Sequence, residues 1–140
     1  MEKSNYEVAF EPYANRHYLK TFRKKYKANW QPTEQSIKES CTRIDSMLKT
    51  DRADLIYSVD CYKLVKLDFT VYGTQTSPKA AGNRCILFVD ENERKVKILL
   101  IYSKNEISSP NETPDRPSGG QKWQKVIADQ YPQVKNIFGL

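Results

Sequence analysis

The side chains in this sequence best suited to chemistry are cations. Arg23-Lys24-Lys25-Tyr26-Lys27 sets four charges around a tyrosine, and Lys63, Lys66, Lys79, Arg84, Lys95, Lys97 and Lys104 fall on or beside segments with strand character. A guanidinium presents a fork of donors that matches two phosphate oxygens, and an ammonium offers a compact point charge on a flexible stem. Cations clustered this way and interleaved with aromatic rings point to a polyanionic partner, and Arg23, Lys24, Lys25, Lys27, Lys79 and Lys97 are the residues expected to bind it. Other chemistries find little support. His17, the one histidine, lies on an amphipathic helix and reads as structural, and Glu106 and Glu112 read as solvated loop carboxylates rather than an acid/base pair. No carboxylate or histidine cluster has metal-ligand spacing and no phosphate-binding glycine loop is present, so no metal or cofactor is expected.

The excess of cations is modest: 23 Lys and Arg stand against 17 Asp and Glu in 140 residues, a net charge of +6. Hydrophobic residues make up 39% and aromatic residues 11%, enough apolar surface for one self-supporting core, so residues 1–140 read as a single domain. The first residues are charged where a signal peptide would be apolar, and no apolar run approaches a membrane span, which gives the expectation of a cytoplasmic protein with no membrane partner. Cys41, Cys61 and Cys85 are far apart and outside any paired motif, so all three read as small core residues.

The elements that must position these cations follow from periodicity. Tyr6 to Phe10 alternates as a short strand that Pro12 ends. From Asn15 to about Lys27, Tyr18, Leu19, Phe22 and Tyr26 recur at helical spacing opposite a basic face. Pro32 suits the first turn of a second helix, with Ile37, Cys41, Ile44 and Leu48 as its apolar stripe. Leu55 to Val59 and Tyr62 to Tyr72 have strand composition, Gly73 to Asn83 reads as an exposed loop, and Arg84–Val89 with Val96–Tyr102 forms a hairpin around Asp90–Lys95. The near-continuous apolar runs of that hairpin predict central strands covered on part of both faces. Ser108 to Gly120 reads as a long irregular segment, and Trp123, Val126, Ile127 and Tyr131 mark a closing helix stopped by Pro132. The fold class is α+β in the order β-α-α-β-β-β-α: an antiparallel sheet with an N-terminal helical hairpin packed on one side and a C-terminal helix.

In order and spacing, the strand Asp60 to Leu67 with its two lysines, the Gly82-Asn83-Arg84 strand entry, the acidic turn at Asp90-Glu91, and the apolar strand Val96–Tyr102 running into Ser103-Lys104 resemble the RelE/ParE toxin superfamily, and RelE-type mRNA interferases in particular. The resemblance covers roughly residues 55 to 105, and the flanking helices agree in order. It implies a toxin of a type II toxin-antitoxin system: a ribosome-dependent endoribonuclease that cleaves mRNA through its 2′-hydroxyl, with ribosome, mRNA and a cognate antitoxin as partners.

Such cleavage needs a base for the 2′-hydroxyl, cationic stabilisation of the pentacoordinate phosphorus and an acid for the leaving oxygen. The resemblance assigns Lys63 or Lys66 as the base or phosphate-stabilising group, Arg84 as the phosphate clamp and Lys104 as a further catalytic cation. Three departures stand against it. Lys63 and Lys66 are three residues apart, which places them on opposite faces of a regular strand unless a bulge intervenes. Asn105 occupies a position where such proteins often carry arginine. No tyrosine aligns with the family's C-terminal catalytic one, because Tyr102 is upstream and Tyr131 lies on a helical stripe, so the acid is unassigned. The alternatives are a non-nucleolytic, ParE-like binder that poisons DNA gyrase, and an inactive RNA-binding domain.

Overall fold

The computed structural model of the chain describes residues 5–74, 81–103, 107–108 and 121–140. Strand β1 (Glu7–Phe10) leads into a short helix α1 (Pro12–Ala14), a π-helical turn (Asn15–Leu19), helix α2 (Lys20–Tyr26), a 3-10 turn (Lys27–Asn29), and helices α3 (Trp30–Thr42) and α4 (Ile44–Met47). Strands β2 (Ala53–Val59), β3 (Tyr62–Phe69), β4 (Asn83–Asp90) and β5 (Lys95–Ser103) follow. The two-residue strands β6 (Ile107–Ser108) and β7 (Gln121–Lys122) pair in parallel, and helices α5 (Trp123–Gln130) and α6 (Pro132–Phe138) close the chain.

The main sheet has five strands in the order β1-β5-β4-β3-β2. Its β2–β5 part is an antiparallel meander, with tight turns joining β2 to β3 and β4 to β5 and a longer connection between β3 and β4. Two features correct the expected order. Four strands follow the helices where the expected order counted three, because the segments Leu55–Val59 and Tyr62–Tyr72 are separate strands: Asp60 takes a left-handed conformation (φ 53°) and folds Val59 directly onto Tyr62. The sheet is also mixed: β1 lies parallel to β5, with Val8 opposite Val96, since the intervening elements carry the chain across the sheet before it returns.

Helices cover both faces. On one, α2, α3 and α4 bury Leu19, Phe22, Trp30, Ile37, Cys41 and Ile44 against Val65, Leu67, Phe69, Cys85, Leu87 and Val89. Phe22 stacks on Trp30 at 4.9 Å between ring centroids, and both rings meet Phe69. On the other, α5 and α6 bury Trp123, Val126, Ile127 and Val134 against Leu64, Ile86, Phe88, Leu99 and Leu100. α5 ends at Gln130, ahead of Pro132 as expected, but Pro132 also occupies the first turn of a further helix, α6, where its missing N–H costs nothing. Phe138 of α6 stacks on Tyr57 of β2 and meets Phe88 of β4 edge-on.

Two bulges set which residues share a face. On β5 the pairing moves from Leu87–Ile98 to Ile86–Leu100, which leaves Leu99 as the extra residue and puts Leu99 and Leu100 on the same side. On β2 the shift lies between Leu55 and Tyr57, at Ile56.

Candidate functional site: a buried charge cluster on the central strands

Strand β3 pairs with β4 without a break from Tyr62 to Phe69, so its side chains alternate strictly. Lys66 and Asp68 therefore share the face of Leu64, the face that α5 and α6 cover. Asp68 lies opposite Arg84, and Arg84 opposite Tyr102. Tyr102 reaches this face because of the Leu99 bulge; an unbulged β5 would turn it to the other side. Asp54 of β2 sits opposite Lys66 and completes the group.

The ions pair closely. Lys66 Nζ lies 3.0 Å from Asp54 Oδ2 and 3.8 Å from Asp68 Oδ1, and Arg84 Nε lies 3.6 Å from the same Asp68 oxygen. The Asp68 side chain is fully buried, Lys66 is 2% exposed and Arg84 12%. Two carboxylates balance two cations, as the desolvation cost of burying charge requires. The cluster brings together two of the expected site residues, Lys66 and Arg84, with Asp54, Asp68 and Tyr102. Asp68 was findable: a carboxylate two residues after a lysine within an apolar strand must share its face. Tyr102 was not, because the unbroken apolar run Ile98–Tyr102 conceals the bulge.

The other expected site residues lie elsewhere. Lys63 is on the opposite face, and no bulge in β3 brings it round; its ammonium pairs with Glu91 at 3.6 Å. Lys104 and Lys79 lie outside the described residues, as do Glu106 and Glu112. Arg23, Lys24, Lys25 and Lys27 are exposed on α2 and the turn after it. Arg23 bridges to Glu34 at 3.2 Å, and Lys25 lies over the Tyr26 ring. Lys97 is not part of that patch: it stands on the α5–α6 face near Glu11 (3.9 Å), beside a cleft of about 450 Å³ walled by Phe88, Leu99, Val134 and Ile137. Cys41 and Cys85 are core residues as expected, whereas Cys61 is half-buried at the β2–β3 turn. Burial pushes the Cys41 thiol up to about 12, and burial, then Cys41 and Asp68, raise Cys85 well above the ordinary thiol range.

Sheet and helices together define a mixed α+β fold. Neither a family model nor a curated protein sequence matches this chain. Among solved structures it is similar to a chain of the archaeal RelE-RelB complex from Pyrococcus horikoshii OT3, with a TM-score of 0.51 and 12% identity over 71% of this chain and 96% of that one. At that identity the likeness is one of fold. Among the described residues, no helix is long and apolar enough to cross a membrane.

Proposed function

We propose that this protein is the toxin of a type II toxin-antitoxin system, acting in the cytoplasm as a ribosome-dependent endoribonuclease. The observation that carries the reading is the convergence of Lys66, Arg84 and Tyr102 from three neighbouring strands on one face of a RelE-like sheet. In the reaction, the 2′-hydroxyl gives up its proton to solvent water as its oxygen attacks the adjacent phosphorus, the bond to the 5′-oxygen of the next nucleotide breaks, and a 2′,3′-cyclic phosphate remains. Arg84 holds the two non-bridging oxygens through its fork, and Lys66 adds a second positive charge. Tyr102, directly opposite Arg84, carries the hydroxyl suited to protonate the leaving 5′-oxygen. Phosphate binding requires Arg84 to exchange Asp68 for the substrate. The neighbour's membership of a RelE-RelB complex supports a cognate antitoxin as partner, and the exposed cations of α2 support contact with ribosomal RNA.

The burial of the cluster favours a second reading, a ParE-like toxin that poisons DNA gyrase without cutting RNA. In such a protein the Lys66–Asp68–Arg84 network serves folding alone. Mapping new RNA 5′ ends after brief induction in bacteria, for this protein and its Arg84→Ala variant, separates the two. The nuclease reading expects codon-phased cuts that vanish in the variant; growth arrest without new ends supports the gyrase-directed binder, and no arrest overturns both.

A further inference from the structure

The net charge of the protein is concentrated in one stretch of its sequence, bounded by Glu11 and by Glu34, which pairs with Arg23 at 3.2 Å. Residues 12–33 hold six Lys and Arg and no Asp or Glu, leaving 17 cations against 17 carboxylates in the remainder, so this segment accounts for the whole excess of +6. Tied to the end of this stretch is Tyr72, which at 64% exposure is the most exposed large hydrophobic residue among those described.

Tyr72 is exposed but not loose. Its backbone N–H donates to the Thr33 hydroxyl at 2.7 Å, and that hydroxyl donates to the Asn29 carbonyl at 2.7 Å, so the tyrosine is tied through a buried side chain to the first turn of α3. Val71 is anchored in the core, and both the N–H and the hydroxyl of Thr74 bond back to its carbonyl, closing a turn over Tyr72 and Gly73. Gly73 supplies the positive φ of 88° that the turn demands, and the Asn29 side chain comes within 3.5 Å of the point a Cβ on Gly73 would occupy. The turn is thereby docked on the Lys27–Asn29 segment, at the end of the basic helix where Lys24, Lys25 and Lys27 are exposed.

An exposed aromatic residue on an anchored turn, next to a helix end rich in cations, meets the two requirements of single-stranded nucleic acid: phosphates for the cations and an unstacked base for the ring. An acidic peptide would use the cations and gain little from the ring. A duplex offers no open base face. We infer that Tyr72 is a base-stacking platform for single-stranded RNA whose backbone runs along α2, a site separate from the buried cluster. The inference rests on the RNA-binding half of the proposed function and not on cleavage.

Binding of a short single-stranded RNA and of its duplex form, measured across a salt series for the protein, Tyr72→Ala and Tyr72→Phe, tests it without any activity readout. Tyr72→Ala should weaken single-strand binding about 5- to 150-fold, the loss of one stacked base, with an unchanged salt slope and a duplex affinity altered by less than about twofold. Tyr72→Phe should bind the single strand as the parent does. Equal losses on single and double strands, no loss at all, or displacement of the RNA from the parent and Tyr72→Ala alike by polyglutamate at comparable charge concentration would overturn the platform. The absence of any RNA binding would overturn it together with the RNA half of the proposed function, whereas RNA binding through Tyr72 without cleavage would remove only the nuclease.

Discussion

Asp68 stands between two cations with no exposed surface of its own, and its carboxylate, together with that of Asp54 beside Lys66, permits Lys66 and Arg84 to be buried. Removing one member of such a group leaves the others charged and uncompensated, which costs far more than the group contributes over an apolar replacement. Asp68→Asn is therefore expected to destabilise the fold by about 3–5 kcal/mol in urea denaturation. Because the three residues act as one unit, the triple variant Lys66→Met, Asp68→Leu, Arg84→Met should lose much less than the sum of the single losses. Lys66 and Arg84 were legible in the sequence as strand-borne cations, but their partnership was not, since it depends on which face each strand turns to the helices. A second consequence at this scale concerns Cys41, whose thiol burial holds up to about 12 against 9.0 when unfolded. The folded state keeps a proton that the unfolded chain releases above pH 9, so this contribution is complete below pH 9 and is lost as pH rises toward 12. Comparing unfolding of the protein with Cys41→Ala from pH 8 to 11, the stability advantage of the parent should shrink above pH 9 by up to about 1.4 kcal/mol per pH unit.

The β5 bulge shows how an element, rather than a residue, decides the site. An extra residue in a central strand frees a carbonyl from the ladder, and a buried carbonyl needs a donor. The Tyr131 hydroxyl, at the junction of α5 and α6, donates to Leu99 O at 2.6 Å. The bulge thus turns Tyr102 toward Arg84 and is held from outside by the C-terminal helices. Tyr131→Phe should cost about 1–2 kcal/mol, the penalty of a buried acceptor left without its donor, and should raise amide hydrogen exchange in β5 around Leu99 more than in β3. Element types were largely readable: the β4–β5 hairpin, the basic amphipathic helix and the α3 stripe all follow from spacing. Both bulges and α6 were not. A run such as Ile98-Leu99-Leu100-Ile101-Tyr102 has no polar residue to mark where alternation slips, and Pro132 carries the same local signal whether it ends one helix or begins the next.

Across the whole molecule, charge is divided into two regimes on opposite faces of one sheet: a neutral, buried cluster beneath α5 and α6, and an unbalanced, exposed set on the α2 side. The parallel placement of β1 on β5 closes the second edge of the meander and was hidden from local reading, since it is fixed by a connection through all the N-terminal helices. The density of cations at Arg23 to Lys27 was legible, and its consequence is an electrostatic one that acts at the scale of the molecule. Lys20, Lys24, Lys25 and Lys27 are all exposed, and glutamine matches lysine in helix propensity, so replacing the four with glutamine should leave the fold intact while lowering the net charge from +6 to +2. Each phosphate contact on a single strand contributes about 0.7 to the salt slope, so the quadruple variant should bind single-stranded RNA with a slope lower by up to about 3 units. Arg84→Ala, at the buried cluster, should leave that slope within about 1 unit of the parent. The reverse pattern, a slope set by Arg84 and indifferent to α2, would place the RNA backbone on the cluster face, and the basic helix would then be no more than a solvated surface.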